Sequence, residues 1–107
     1  MGNGVNLDKS VFELVVAICG DFERRRKLIE EGRLPRRVEM ELRYLNVKIY
    51  DATVEIVGDD NAEQFINEIG NKVGYAKSAV TSKSETTYKI YKKRIKDNLS
   101  VRLYLRA

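Results

Sequence analysis

An all-α fold, a compact bundle of four to five helices, is what this 107-residue sequence predicts, and three observations carry the prediction. Apolar residues recur at gaps of three and four in successive stretches, the period of one helix face. Gly32, Gly58 and Gly74 fall where those stretches end. No internal repeat, low-complexity tract or proline-rich linker separates them, so the connections suit antiparallel neighbours. A hydrophobic fraction of 43% beside 34% charged residues fits one globular domain with a modest core.

Residues 1–9, with two glycines and two asparagines, are expected as a flexible arm ahead of a single helical domain over 10–107. Ser10 and Glu13 have the spacing of a capping box, in which each side chain satisfies a backbone N–H of the first turn. Val11, Val15, Ile18, Phe22 and Ile29 then give a first helix over 10–31, stopped at Gly32. Pro35 suits the first turn of the next helix, where its missing N–H costs nothing. Val38, Leu42, Leu45, Ile49, Ala52 and Ile56 follow as one apolar stripe, widened by Met40, Tyr44, Val47, Tyr50, Val54 and Val57, until Gly58. Residues 10–58 are thus a helical hairpin scaffold. Asp60 and Glu63 suggest a further cap, and Ala62, Phe65, Ile66, Ile69 and Val73 a short third helix ending at Gly74. Ser82 with Glu85, or Ser84 alone, caps a last helix running towards Leu105, with Tyr88, Tyr91, Ile95 and Leu99 on one stripe.

Charge divides the chain. Residues 1–71 carry 10 Lys+Arg and 14 Asp+Glu, or −4, and residues 72–107 carry 10 and 2, or +8, which sum to the net +4. Only Glu85 and Asp97 interrupt the basic end, where Lys89, Lys92, Lys93, Arg94 and Lys96 crowd the last helix. Such asymmetry suits a polyanion-facing end on a neutral or acidic body, against the plainer reading of a solvated lysine-rich helix. A second basic run, Arg24 to Lys27, is surrounded by Asp21, Glu23, Glu30 and Glu31 and reads as a solvated face. Of Tyr88, Tyr91 and Tyr104, which pose a choice between core packing and base stacking, Tyr88 and Tyr91 lie on the apolar stripe with Ile95 and read as core packing with exposed hydroxyls.

The absence of histidine removes Cys-His and Ser-His-Asp chemistry and most zinc sites. Cys19 lies in the apolar run from Leu14 to Ile18 and reads as a buried structural thiol, and Asp59 and Asp60 read as helix caps rather than metal ligands. A non-enzymatic protein without cofactor or metal is therefore expected. No apolar stretch approaches the roughly 20 residues of a membrane span. The first eight residues lack the order of a signal peptide, so a cytoplasmic location without membrane contact is expected.

The region around Gly74 offers the parts of a helix-turn-helix in order. Ile69 and Val73 face the core, Gly70 permits close approach, Gly74 supplies the turn, and Tyr75 and Val80 pack the second helix back. In this register residues 76–83 are the reading helix, exposing Lys77, Ser78, Thr81, Ser82 and Lys83. The run IGNKVGYAKSAVT, residues 69–81, resembles the general bacterial regulator pattern of isoleucine, alanine, variable residues, glycine, a serine-rich turn and valine. Gly74 and Tyr75, followed by SETTYKIYKKR at 84–94, are also similar to the end of sigma-like phage late-gene activators of the ArpU and RinA kind. In that register the reading helix begins at Ser84. Both resemblances imply binding of double-stranded DNA by residues 60–106, with Lys72, Lys77, Ser78, Thr81, Ser82, Lys83, Ser84, Thr86, Thr87, Lys89, Lys92, Lys93 and Lys96 as the contacting set.

The expected function is a small transcriptional regulator of bacterial, phage or mobile-element type. Its N-terminal helices would stabilise it or meet the transcription machinery, and the stripe of residues 38–56 would serve a core, a homodimer seam or both. The alternative is an adaptor or anti-regulator whose basic C-terminal helix binds an acidic protein. RNA is a weaker alternative, since the chain lacks the RRM signature and the KH loop.

Overall fold

The structure, a computed structural model, describes residues 3–80 and 83–103, with side chains from residue 9 onward, so Thr81, Ser82 and Tyr104 lie outside the described residues. It is an all-α bundle. Among the described residues five α-helices follow one another as α1 (Asn3–Gly20), α2 (Phe22–Glu31), α3 (Arg36–Val57), α4 (Asp59–Gly70) and α5 (Glu85–Arg102), with a 3-10 turn at Tyr75–Lys77 between the last two. Among the described residues no helix is long and apolar enough to cross a membrane.

The core forms where α1, α3, α4 and α5 meet, from Val15, Cys19, Ile49, Ala52, Phe65, Ile66, Ile69, Tyr88, Ile95 and Leu99. Burial pushes the Cys19 thiol up to about 12, so it is an inert packing group, as its apolar surroundings in the sequence suggest. The tightest point is a crossing of α1 and α4. A Cβ placed on Gly70 would stand 2.5 Å from the backbone nitrogen of Gly20 and 2.7 Å from the carbonyl carbon of Cys19. Gly70 thus admits α1, not a helix that follows it in the chain.

Several expected boundaries shift. The arm expected over 1–9 is helical from Asn3, so Ser10 lies inside α1 and forms no capping box with Glu13. The single helix expected over 10–31 breaks at Asp21, and the reason is Arg25. Its guanidinium turns inward, donates to the Ile18 carbonyl at 2.5 Å and to Asn46 Oδ1 at 2.6 Å, and ties the end of α1 to α3. Asn46 returns a bond to the Phe22 carbonyl at 3.2 Å. The basic run is therefore not one solvated face: Arg25 is buried, while Arg24 pairs with Asp21 at 2.9 Å and Arg26 with Glu63 at 2.8 Å.

Gly32 takes the left-handed conformation at the end of α2, with φ 69°. Gly58, at φ 81°, ends α3, and α4 starts at once without the expected side-chain cap from Asp60 and Glu63. Asp59 and Asp60 still place negative charge at the positive end of the α4 dipole. The apolar stripe of α3 is buried only in part: Ile49 and Ala52 lie in the core, whereas Val38 is exposed. With 22 residues against 12 in α4, α3 extends past its neighbour.

Candidate nucleic-acid interface

Helix α4, expected to run on to Gly74, stops at Gly70, and a turn closes it. The Val73 N–H bonds to the Glu68 carbonyl at 2.9 Å and the Lys72 N–H to the Ile69 carbonyl at 3.2 Å, the two bonds of a Schellman motif. The position that glycine normally fills in this motif is Lys72, at φ 56°. Gly74, at φ −87° and ψ 171°, is simply extended and is not the turn residue. Left-handed backbone costs a side-chain-bearing residue about 1 kcal/mol relative to glycine. Lys72→Gly is accordingly expected to raise stability by about 1 kcal/mol in urea unfolding, and a loss of stability would show that the lysine side chain contributes to the fold.

Residues 71–84 separate α4 from α5, longer than the three or four residues of a helix-turn-helix turn. Among the described residues of the expected reading helix, 76–80 and 83, no α-helix is present: after one 3-10 turn the chain is extended at Ser78, and the next described helix begins at Glu85. Ser84 is the cap of the second register, its Oγ accepting from the Thr87 N–H at 3.2 Å. Of the two starting points, the structure has the later one.

What orders the long connection is a buried carboxylate that sequence reasoning passed over. Glu68 is 2% exposed and sits between Phe65 and Ile69 on the apolar face of α4. Its Oε1 accepts from Ser78 Oγ at 2.6 Å and from the Tyr88 hydroxyl, and its Oε2 from the Ala79 N–H at 2.8 Å and Gln64 Nε2 at 2.5 Å. Burial alone would push this carboxyl up, but the bonds from Ser78, Tyr88, Gln64 and Ala79 outweigh it and hold the group below the ordinary glutamate range. An acid at a core-facing helical position was the available signal, because such a group is retained only with donors around it.

Further ties close the connection onto α5. Tyr75 donates to the Lys83 carbonyl at 3.0 Å and its ring lies 5.6 Å from that of Tyr88, which in turn stands 5.4 Å from Phe65. Val80 is buried beneath the loop. Tyr88 is fully buried, with its hydroxyl on Glu68, and so differs from the expected pattern of an exposed hydroxyl. Lys92 donates to the Val73 carbonyl at 2.6 Å and lies over the Tyr88 ring; burial lowers its pKa, with Lys96 nearby adding to the effect.

The expected contact residues consequently separate into two groups. Lys92, Lys83 over the Tyr91 ring and Lys96 over the Phe12 ring are partly engaged in packing. Ser78 is consumed by Glu68. Lys72, Lys77, Ser84, Thr86, Lys89 and Lys93 are exposed, and Thr87 is half-buried in the cap. Thr86, Lys89, Ile90, Lys93 and Arg94 share the outer face of α5 at helical spacing, so Arg94, outside the expected set, belongs to it. Lys89 meets Glu85 at 2.8 Å, an exposed pair that is readily exchanged for another anion. Comparison of the chain with protein-family models, curated proteins and solved structures gives no match.

Proposed function

We propose that this chain is a cytoplasmic, non-enzymatic regulator that lays α5 along double-stranded DNA. The observation that carries the reading is the outer face of α5, where Lys89, Lys93 and Arg94 stand exposed beside Thr86. The turn bearing Lys77 is fixed against the same helix through Tyr75 and the Glu68 network. A helix is narrow enough to enter the major groove, and cations fixed on a rigid base meet phosphates with less side-chain ordering than cations on a free loop. Lys72 adds support as a further exposed cation, held in the turn that closes α4. The element is then a helix, a pinned connection and a basic helix, in place of the tight helix-turn-helix of the sequence resemblance.

A second reading, an interaction module for an acidic protein, is favoured by Ile90 and Val101, which are exposed on α5 among its charges. Fluorescence anisotropy with a mixed-sequence duplex separates the two. The parent is expected to bind at low salt with affinity falling as salt rises. Lys89→Ala, Lys93→Ala and Arg94→Ala together should weaken binding roughly tenfold or more and flatten the log–log salt slope by about 0.9 per lost phosphate contact. No binding at low salt, or an unchanged slope in the triple variant, excludes the DNA reading and leaves the protein partner.

A further inference from the structure

We infer that the outward face of the N-terminal half of α3 seats a second copy of this chain, packed antiparallel about a two-fold axis between Arg43 and Tyr44. This goes beyond the DNA-binding reading and does not depend on it. The face is not the stripe of residues 38–56 that covers the core. It is the opposite side of the same helix, where Met40 is 57% exposed, Tyr44 63% and Val47 56%. These three large apolar side chains stand on successive turns of one face, unlike scattered surface hydrophobics, with the Lys48 ammonium 4.7 Å from the Tyr44 ring centre.

The occupant follows from how charge is arranged along that strip. Arg36, Met40, Tyr44, Val47 and Asp51 succeed one another at gaps of four, four, three and four, so they share one side of α3. The strip is basic at its N-terminal end, with exposed Arg36 and Arg37, apolar in the middle, and acidic at Asp51. Arg36 with Asp51, and Met40 with Val47, have the same midpoint, between Arg43 and Tyr44. A copy rotated by two-fold symmetry about that midpoint places its Asp51 beside Arg36 and its Val47 beside Met40, and the reciprocal contacts follow automatically. A parallel copy would set arginine against arginine. The antiparallel arrangement also opposes the two helix dipoles favourably. Arg37 is held only loosely, 3.6 Å from Glu41 with both groups well exposed, and can turn to a partner's acid.

Beside the strip lies an open cleft of about 470 Å³ between α2 and α3, lined by Phe22, Ile29, Val47 and Tyr50 among others, which offers a projecting side chain of the second copy a receptor. The apolar strip spans only Met40 to Val47, about 11 Å of helix, so the contact is small and a micromolar dissociation constant is expected.

Sedimentation velocity between about 1 and 200 μM tests the inference. The parent should pass from monomer to dimer across this range. Tyr44→Glu should remain monomeric, with an unchanged helical circular dichroism spectrum because the site is exposed. Asp51→Arg alone, and Arg36→Asp with Arg37→Asp, should each weaken the dimer about tenfold or more, and the three changes combined should restore it, since they exchange the two charges across the axis. A parent that stays monomeric at the highest concentration leaves the face to some other partner and overturns the proposal. So does a combined variant no better than its parts. Anisotropy with a single-site duplex reads DNA binding on monomer and dimer alike, so failure here and failure of the DNA reading are told apart.

Discussion

Gly70→Ala is expected to cost about 3 kcal/mol or more in urea unfolding, while Gly20→Ala in the facing helix is expected to stay within about 1 kcal/mol of the parent. The two glycines lie at one crossing, yet they are not equivalent. A Cβ on Gly20 would meet the Gly70 carbonyl oxygen at 3.4 Å, close to ordinary contact, and alanine adds helix propensity at that site. A Cβ on Gly70 points into α1 and meets three backbone atoms of Cys19 and Gly20 between 2.5 and 2.7 Å. Backbone cannot rotate aside as a flexible side chain can, so α1 and α4 must separate along their length. Val15, Cys19, Ile66 and Ile69 would lose contact together. Gly70 has no left-handed φ, so strain from the backbone conformation plays no part and the loss is steric. An alanine variant within about 0.5 kcal/mol of the parent would mean that the helices are further apart than this structure has them.

Gly70 shows how far the sequence could be read. That a glycine among apolar residues permits close approach is a sound rule, but nothing along the chain identifies the approaching element, and the helix that arrives is α1, fifty residues earlier. The all-α class was legible because Ile49, Ala52, Phe65, Ile69, Tyr88, Ile95 and Leu99 keep one helical period and do fill one core. Boundaries were less so. The break at Asp21 depends on Arg25 reaching Asn46, a contact between distant residues that local pattern does not contain. The cap at Ser84 was readable, since it acts within four residues, whereas the left-handed turn at Lys72 was assigned to Gly74 because glycine is the usual occupant. The exposed basic face was legible from charge alone, but the withdrawal of Lys92 into packing was not, because a lysine that donates to the Val73 carbonyl has the same letter as one in solvent.

Glu68→Ala is expected to destabilise the protein by about 3 kcal/mol and to release the connection between α4 and α5. The carboxylate accepts four hydrogen bonds, and three of its donors, Ser78, Ala79 and Tyr88, belong to the connection and to α5. Truncation leaves the Ala79 N–H and the Tyr88 hydroxyl without that acceptor and leaves a void where the buried carboxylate stood. Glu68→Gln keeps the volume but has only one acceptor oxygen for four donors, and about 1 to 3 kcal/mol should still be lost. Its dependence on pH identifies the cause. The folded-state pKa of Glu68 lies below the ordinary glutamate value, so its ionisation contributes stability above about pH 4.3, and that contribution disappears as pH falls through the folded value. The gap between parent and Glu68→Gln should therefore narrow in acid. At the other end, burial and the Glu68 bond push the Tyr88 hydroxyl up to about 12. The unfolded tyrosine ionises first, so this contribution is full below about pH 10 and is lost as pH rises towards the folded value. Amide exchange at Ala79 should accelerate in both variants at neutral pH and, on the DNA-binding reading proposed above, affinity for a duplex should fall with it, since Lys77 rides on the released segment. A stability gap independent of pH between 3 and 7, or unchanged exchange at Ala79, would mean that the connection is held by Val80 and the tyrosines, with Glu68 incidental.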